Sequence, residues 1–195
     1  MKIAGIDYSM TSPGICTHWG EKWSIDNCKF YYMSKTKMLC KKYHNSMFCG
    51  TLLKDFKCSM DRYECISDWA ISKVSFHDHA MIEGYAYAAT GRVFDIGENT
   101  GILKYKIWRG NVPLKVATPT QIKKFATGSG SATKEHMYGA WLEETDIDLM
   151  KMMTPRRSNV GNPVSDIVDA YYICKYLFHN GELTVEPDIK DQERR

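Results

Sequence analysis

Long apolar runs and paired cysteines are missing from this chain of 195 residues, and its first residues predict no leader segment. No run approaches the ~20 apolar residues of a membrane span, and the N-terminus reaches an acid, Asp7, too early for a signal peptide. The seven cysteines are odd in number and form no Cys-x-x-Cys pair, so a disulfide framework is not expected. We therefore predict a cytoplasmic protein with no membrane partner, whose thiols are free as is usual in a reducing compartment.

Two further motifs are absent or incomplete. Cys40, His44 and Cys49 are zinc ligands by residue type, but their spacing fits no familiar finger, which leaves zinc as an alternative only. The chain also has no Gly-x-x-x-x-Gly-Lys-Ser/Thr sequence, so it carries no Walker phosphate loop.

Acidic residues are missing from residues 101–134, where seven lysines and arginines occur. Residues 22–62 are also rich in lysine, although the net charge of the whole chain is only +3. This uneven distribution indicates a basic surface for a polyanion next to an acidic site. A solvated helix face is the alternative interpretation of the same residues.

Hydrophobic patterning predicts an α/β protein in which a mixed central β-sheet is flanked by α-helices on both sides. Strands are predicted at residues 2–8, 15–19, 29–33, 80–83 and 113–117, and helices at 60–74, 93–108, 119–125, 134–144 and 164–178. Residues 36–57 give no clear pattern, and residues 145–163 are predicted to be irregular. We expect one domain at 1–185 and a flexible charged tail at 186–195.

Two acids follow short apolar strands. Asp7 comes directly after Ile3-Ala4-Gly5-Ile6, and Glu83 directly after Met81-Ile82. An acid at the end of a buried strand is costly unless it is paired or binds a metal. For Asp7 alone, a residue that opens a turn is an equally good interpretation.

Two more acids, Asp166 and Asp169, lie three residues apart in the last predicted helix and are therefore neighbours on its surface. They belong either to a solvated face or to a face that binds a metal. Mg²⁺ prefers oxygen ligands and is usually held by a few carboxylates together with substrate phosphates. Carboxylates brought to one point by separate elements are what a two-metal phosphodiester-cleaving site requires, so the sequence predicts a metal-dependent nuclease.

Several residues are candidates for contact with nucleic acid. The loop at residues 127–134, which contains Ser131, is rich in hydroxyls and opens a helix, and backbone amides at a helix N-terminus bind phosphate well. A plain linker is the alternative. Arg156 and Arg157 are candidate phosphate contacts in the irregular segment.

Aromatic residues follow Glu83 closely in the chain. Tyr85, Tyr87 and Phe94 are placed to stack on bases or to wedge between them beside a nuclease site. Burial in the core explains the same residues equally well.

The motifs and their order resemble the RuvC family of Holliday junction resolvases, within the RNase H-like superfamily. The resemblance spans nearly the whole chain and looks closest to bacteriophage-type members in residues 83–94. It rests on Gly5-Ile6-Asp7 with Pro13-Gly14, Ile82-Glu83, Thr118-Pro119-Thr120-Gln121-Ile122-Lys123-Lys124, the loop that ends at Lys134, and Asp166-Ile167-Val168-Asp169-Ala170.

The resemblance implies an RNase H-like fold and a function in DNA recombination and repair. By resemblance, the metal would be held by Asp7, Glu83, Asp166 and Asp169. Lys134 would lie near the scissile phosphate. DNA would be contacted by Lys123, Lys124 and Arg92, together with the candidates named above. The family cleaves four-way junctions as a homodimer by paired symmetric nicks, and residues 93–108 would form the dimer contact. Two Mg²⁺ ions are the implied cofactor, with Mn²⁺ as a substitute.

Two segments depart from the family pattern, which leaves the substrate range open. Residues 35–58 are longer and more basic than expected for the bacterial enzymes, and an irregular segment precedes the final acids. The nearest alternative is another RNase H-like nuclease acting on flaps, forks or RNA–DNA hybrids. A sugar-kinase-like or actin-like ATPase half and a non-catalytic junction-binding module are alternatives from other classes.

Overall fold

The fold is described from a computed structural model, which describes residues 1–84 and 93–181. In these residues seven strands occur: β1 (Lys2–Asp7), β2 (Gly14–Trp19), β3 (Cys28–Ser34), β4 (Lys42–Tyr43), β5 (Phe48–Leu52), β6 (His79–Glu83) and β7 (Leu114–Ala117). The same residues form six α-helices: α1 (Ser59–Val74), α2 (Val93–Arg109), α3 (Pro119–Thr127), α4 (Lys134–Thr145), α5 (Leu149–Met153) and α6 (Val164–Asn180). The predicted tail at 186–195 lies outside the described part of the chain.

All strands join one mixed sheet in the order β4-β5-β3-β2-β1-β6-β7. The first three long strands form an antiparallel meander, in which β1 pairs with β2 and β2 with β3. Strands β6 and β7 are parallel to β1, and β5 is parallel to β3. The carboxyl ends of β1, β3, β5, β6 and β7 therefore lie at one edge of the sheet, which we call the carboxylate edge because Asp7 and Glu83 end two of these strands.

Three elements were not predicted from the sequence. Strands β4 and β5 form a short hairpin inside the unassigned residues 36–57, and α5 interrupts the segment expected to be irregular. Strand β4 has two residues and α5 has five, which is too short for periodicity to be visible. Strand β5 has only five residues, with Gly50 at its centre and Thr51 after it, so it lacks the clear apolar alternation that marks a strand.

Helices cover both faces of the sheet, as predicted. One buried cluster joins the sheet to α3, α4, α5 and α6, and the other joins it to α1 and α2. The side chains of β1 alternate between the two clusters: Ile3 enters the first, whereas Ala4 and Ile6 enter the second. No helix in residues 1–84 and 93–181 has the length and apolarity needed to cross a membrane.

Helix α6 lies unusually close to β1 and β2 because of two glycines. A Cβ atom on Gly5 would lie 2.2 Å from the backbone nitrogen of Cys174 and 2.6 Å from the carbonyl oxygen of Ala170. A Cβ atom on Gly14 would lie 2.5 Å from the carbonyl oxygen of Asp166. Real Cβ atoms do not make such contacts, so both positions require glycine for the helix to lie this close to the strands.

Candidate active site

Strand alternation directs both strand-end acids to the face that α6 covers. In β1, Asp7 is two residues from Gly5 and four from Ile3, which faces α6. In β6, Glu83 is two residues from Met81, which belongs to the same buried cluster. Because side chains alternate with a period of two and β1 and β6 are parallel neighbours, both carboxylates emerge on one side of one edge.

The first turns of α6 bring the other two acids to the same place. Asp166 is buried, with 6% of its surface exposed, and Asp169 is half-buried. The interpretation of this pair as a solvated helix face is therefore wrong. The helix is apolar almost all round, because the sheet, α3 and α4 pack against it, and the two acids are the polar exception at its N-terminal end.

The four acids influence one another's ionisation. Burial, together with the charges of Asp169, Asp166 and Glu83, holds the pKa of Asp7 well above its usual range. Burial and the charge of Asp169 raise the pKa of Glu83 to about 7. Burial also raises the pKa of Asp166 and that of Asp169 to about 6. Clustered carboxylates with raised pKa values are typical of functional sites, because folding alone gains nothing from them.

Two lysines partly offset this concentration of negative charge. Lys134, the first residue of α4, lowers the pKa values of Asp7, Asp166 and Asp169. Lys123 in α3 lowers those of Glu83 and Asp169. Both lysines therefore lie within electrostatic reach of the acids, and their contacts with phosphate and DNA stay predictions. Lys124, the third expected cation of this group, is exposed to solvent.

A small hydrogen-bond chain positions Lys134 next to α6. Its Nζ donates to Ser165 Oγ at 3.3 Å, and the Ser165 hydroxyl donates to Asn162 Oδ1 at 3.0 Å. Arg157 Nη1 donates to the carbonyl oxygen of Asn162 at 2.9 Å. The loop before α6 thus connects Arg157 with the lysine near the acids, while Arg156 is exposed.

Ser12 is a functional residue that the sequence did not reveal. Its hydroxyl donates a hydrogen bond of 2.6 Å to Asp166 Oδ2 inside the protein. Charge-assisted hydrogen bonds to a carboxylate favour its ionised form and fix its orientation. In the sequence, Ser12 belongs to Ser12-Pro13-Gly14, which predicts a turn. Nothing in this motif indicates that the serine bonds to an acid beyond residue 160.

Tyr8 is a second residue that sequence reasoning missed. It directly follows Asp7, and its hydroxyl donates to Oδ1 of the buried Asn99 in α2 at 3.2 Å. The start of the loop after β1 is therefore bonded to α2, which lies on the opposite face of the sheet from α6.

The hydroxyl-rich loop lies between α3 and α4. The left-handed Gly128 ends α3 with a φ of 79°, and Thr133 caps α4 by accepting a hydrogen bond from the backbone amide of His136. Ser131 is exposed, and its Oγ lies 3.2 Å from Ser129 Oγ. The structure thus confirms a loop that opens a helix, and phosphate binding by Ser131 stays a prediction.

Residues Tyr85, Tyr87 and Arg92, predicted to contact DNA, lie outside the described residues. Phe94 is described, and 86% of its surface is exposed at the start of α2. Core burial, the alternative interpretation for the aromatics after Glu83, is therefore wrong for Phe94.

The acid-free stretch of residues 101–134 does not form one continuous surface. Lys106 in α2 forms an ion pair with Asp68 in α1, and Lys115 is buried in β7 with 8% exposure. Lys123 and Lys134 belong to the layer on the other face of the sheet, because α3 and α4 pack there. Only the second half of the stretch therefore lies beside the acids.

The donor set fits divalent cations such as Mg²⁺ or Mn²⁺, since all four candidate ligands are carboxylates. Within residues 1–84 and 93–181, no three His, Cys, Asp or Glu side chains are arranged to surround one ion. Ions in phosphodiester-cleaving sites need few protein ligands, because water and substrate oxygens complete the coordination. The same finding gives no support to the zinc alternative at Cys40, His44 and Cys49 within the described residues, and the two thiols there are free.

No protein-family model and no curated protein sequence matches the chain, but solved structures do. RuvC of Thermus thermophilus superposes with a TM-score of 0.58 and 16% sequence identity, over 93% of this chain and 97% of that one. T. thermophilus RuvC in complex with a Holliday junction substrate gives the same TM-score and identity, over 92% and 94%. The fowlpox virus resolvase in complex with substrate Holliday junction DNA gives 0.51 and 11%, over 94% and 100%.

These similarities identify the fold class, and the predicted RNase H-like α/β fold is confirmed. Among the solved structures that share this fold are RuvC and a poxvirus resolvase, which agrees with the resemblance to junction resolvases. At this level of sequence identity the similarity establishes the fold, and the function is argued from the site.

Proposed function

We propose that the protein is a metal-dependent endonuclease that cleaves phosphodiester bonds in four-way DNA junctions. The observation that carries the proposal is the convergence of Asp7, Glu83, Asp166 and Asp169 from two strands and one helix, with Lys123 and Lys134 beside them. Burying mutually repelling carboxylates costs stability, which is offset when divalent cations bind.

Each of the other three acids raises the pKa of Asp7, and the charge of Asp169 raises the pKa values of Asp7, Glu83 and Asp166. Because Asp7 ends the strand that neighbours β6 and packs against α6, we infer that it would share the metal with both Glu83 and the α6 acids. Bound there, divalent ions would supply an activated water and neutralise charge on the scissile phosphate. The hydrogen bond from Ser12 lowers the pKa of Asp166, which favours its ionised form, and fixes the orientation of its carboxylate.

Lys134 has an electrostatic role in this proposal. Its ammonium group lies close enough to lower the pKa values of three acids, and its hydrogen bond to Ser165 holds it at the start of α6. A cation fixed at this position stabilises the negative charge that develops on a phosphate under attack. Lys123 provides a second positive charge next to Glu83.

Branched DNA is the proposed substrate because two structural neighbours, RuvC and the fowlpox resolvase, are in complex with Holliday junction DNA. Paired nicks on a four-way junction require two active sites, and we propose that α2 brings two chains together. Its outer surface carries large exposed aromatic residues: Phe94 at 86%, Tyr105 at 56% and Trp108 at 70%. The rings of Tyr105 and Trp108 contact each other, and exposed apolar side chains grouped in this way mark interaction surfaces.

The proposal is tested by offering the protein labelled four-way junction, linear duplex, fork, flap and RNA–DNA hybrid, with Mg²⁺ and with EDTA. Symmetric nicks on opposite strands of the junction, present only with the metal, are the expected result. Preferential cleavage of the fork, flap or hybrid would instead assign a different nuclease activity to the same acids. Junction binding without any cleavage would identify a non-catalytic binding module.

A further inference from the structure

The segment between β3 and α1, at residues 35–57, is an addition at one side of the sheet. It contains six lysines and a single acid, Asp55. Four of these lysines lie within five residues after the end of β3 or β5 and are exposed: Lys35, Lys37, Lys54 and Lys57, which we call the strand-end lysines. Because the strands of this segment belong to the sheet, the fold determines where its lysines lie.

The topology puts the strand-end lysines at the carboxylate edge. Strand β3 has the same direction as β1, because both pair antiparallel with β2, and β5 is parallel to β3. The ends of β3 and β5 are side by side, since Ser34 pairs with Leu52 and its carbonyl oxygen accepts a 2.9 Å hydrogen bond from the amide of Leu53. Lys35 and Lys54 therefore leave the sheet next to each other.

A direct chain of contacts connects the end of β3 with the acids. The Ser12 hydroxyl, which donates to Asp166 at 2.6 Å, lies 3.3 Å from the carbonyl oxygen of Met33. The Met33 amide donates to the carbonyl oxygen of Pro13 at 3.1 Å. Only Ser34 separates Met33 from Lys35 in the chain, so the Lys35 backbone lies about 7 Å along the strand from the residue that Ser12 and Pro13 contact.

The loop that carries Lys35 and Lys37 is fixed on the sheet. Leu39 is buried, and its carbonyl oxygen accepts a 2.7 Å hydrogen bond from the Tyr32 hydroxyl. A Cβ atom on Gly50 would lie 2.3 Å from that same oxygen, so the glycine lets the loop rest against β5. The lysines are thus presented by an ordered loop, which reduces the entropy lost on binding.

We propose that the strand-end lysines form a second phosphate-binding surface that holds one duplex arm of the DNA substrate next to the carboxylates. Neighbouring strands lie about 4.8 Å apart, so the ends of β3 and β5 are roughly 10 and 14 Å from β1. Duplex DNA carries a phosphate charge every ~1.7 Å of its axis, so this distance corresponds to about 3–4 base pairs. On the other side of the acids, Lys123 lies next to Glu83.

This inference rests on the proposed function and extends it, because it assigns a binding surface to the duplex arm that leaves the active site toward β5. Its chemistry is that of a backbone contact without sequence preference: lysines alone contribute positive charge and no base-specific hydrogen bonds. Four such contacts add affinity that depends strongly on salt concentration.

The test compares two variants with equal loss of charge. In the first, Lys35, Lys37, Lys54 and Lys57 are each changed to Gln. In the matched control, Lys2, Lys22, Lys29 and Lys73, which belong to the opposite edge of the sheet or to the end of α1, are changed to Gln. Binding of a four-way junction is measured in EDTA over a range of salt concentrations, and thermal melting verifies that both variants fold.

We expect the first variant to bind at least about tenfold more weakly at ~100 mM salt, with the slope of log K against log salt shallower by about 0.9 for each phosphate that the lysines no longer neutralise. The control should keep the affinity within about twofold and the same slope. Equal binding by the first variant and the parent, or equal weakening in both variants, would overturn the proposal.

A modified substrate locates the phosphates that the lysines bind. Neutral methylphosphonate linkages about 3–4 base pairs from the cut should weaken binding of the parent and leave the first variant unchanged, and any other pattern contradicts the assigned distance. The binding readout is independent of catalysis. A parent that binds through these lysines but cleaves nothing would refute the nuclease proposal alone. A first variant that binds and cleaves junctions as well as the parent would refute this inference alone.

Discussion

At the scale of single residues, the acids of the site oppose folding. Burial and mutual repulsion raise the pKa of Asp7, and the same causes act on Glu83 and on the α6 pair. Active sites typically contain groups that are needed for function but lower the stability of the protein. Removing such groups usually stabilises the fold. Ser12 and Lys134 reduce this cost without removing it.

Asp7→Asn should therefore raise the stability of the metal-free protein. Asparagine has the same shape and lacks the buried charge, so we expect a gain of about 0.5–2 kcal/mol, the usual range for relieving a costly functional residue. Chemical denaturation in EDTA measures it. Asp26→Asn, which changes an exposed acid far from the site, is the control and should change stability little. A destabilised Asp7→Asn protein would show that this carboxylate is stabilised by native interactions instead.

The raised pKa values also predict how stability depends on pH. The folded protein keeps protons on Glu83 up to a pKa of about 7 and on Asp166 and Asp169 up to about 6, whereas the unfolded chain releases them near pH 4. Because the folded state binds more protons, stability without metal should fall as pH rises from about 4 to about 7. Mg²⁺ needs ionised carboxylates, so it should stabilise more at about pH 8 than at about pH 5.

Calorimetric melting at these two pH values, with EDTA and with Mg²⁺, measures both effects. Asp78 and Asp148 have pKa values lowered mainly by hydrogen bonds from backbone amides, so they contribute the opposite slope below about pH 4. His18 and His77 have pKa values lowered mainly by burial, so they contribute the opposite slope below about pH 6.5, but they are two groups against the four carboxylates. A metal-free protein that is more stable at about pH 8 than at about pH 5 would contradict the assigned ionisation of the cluster.

At the scale of elements, the site depends on how closely α6 lies against β1 and β2. Asp166 and Asp169 reach the carboxylate edge because Gly5 and Gly14 leave no Cβ atoms between the helix and the strands. Without the helix, the strands would present only two acids, Asp7 and Glu83. The helix therefore completes the cluster, and its distance from the sheet decides whether the acids share their ligands.

Gly5→Ala tests this dependence. Its Cβ atom would meet the α6 backbone at 2.2 and 2.6 Å, so the helix must move away and we expect a loss of about 3 kcal/mol or more, together with the loss of cleavage. The control is Gly139→Ala in α4, where a Cβ atom has no neighbour within 4 Å and alanine should stabilise the helix by up to ~1 kcal/mol. Urea unfolding compares them, and equal stabilities would contradict the proposed close packing.

The sequence predicted the elements with clear periodicity and the acids at strand ends, because both signals are local. Asp7 and Glu83 follow apolar runs, and helix α1 repeats its apolar positions over 16 residues. Contacts between residues that are distant in the sequence were not predictable. The hydrogen bond from Ser12 to Asp166 spans 154 positions, and the sequence around Gly5 does not indicate its contact with α6. Strand β5 was missed because it is held in an extended conformation by its pairing with β3, which its own sequence pattern does not reveal.

At the scale of the whole molecule, the two sides of the sheet have different roles. The side covered by α6 carries the acids and Lys123 and Lys134, whereas the side covered by α1 and α2 carries the exposed aromatics of the proposed dimer surface. The bond between Tyr8 and Asn99 joins the two sides one residue from Asp7. A dimer through α2 would leave the carboxylate edge of each chain available for DNA.

Trp108→Glu should convert a dimer into a monomer, because it places a charge in the apolar surface of α2. Trp19→Glu is a matched control: both tryptophans are 70% exposed, but Trp19 ends β2 on the edge away from the carboxylates. Sedimentation equilibrium measures the masses. A parent that is monomeric with and without DNA, or a Trp108→Glu protein that stays dimeric, would remove α2 as the interface.

The central claim is that the four carboxylates cut DNA. Single-turnover cleavage of a labelled four-way junction by the parent and by Asp7→Asn in Mg²⁺, with junction affinity measured in parallel, tests it most directly. We predict a rate at least about 10³-fold lower for Asp7→Asn, comparable to the loss of a major electrostatic contribution to catalysis, with affinity unchanged within a few fold. An Asp7→Asn protein that cuts the junction within about tenfold of the parent rate would contradict the account.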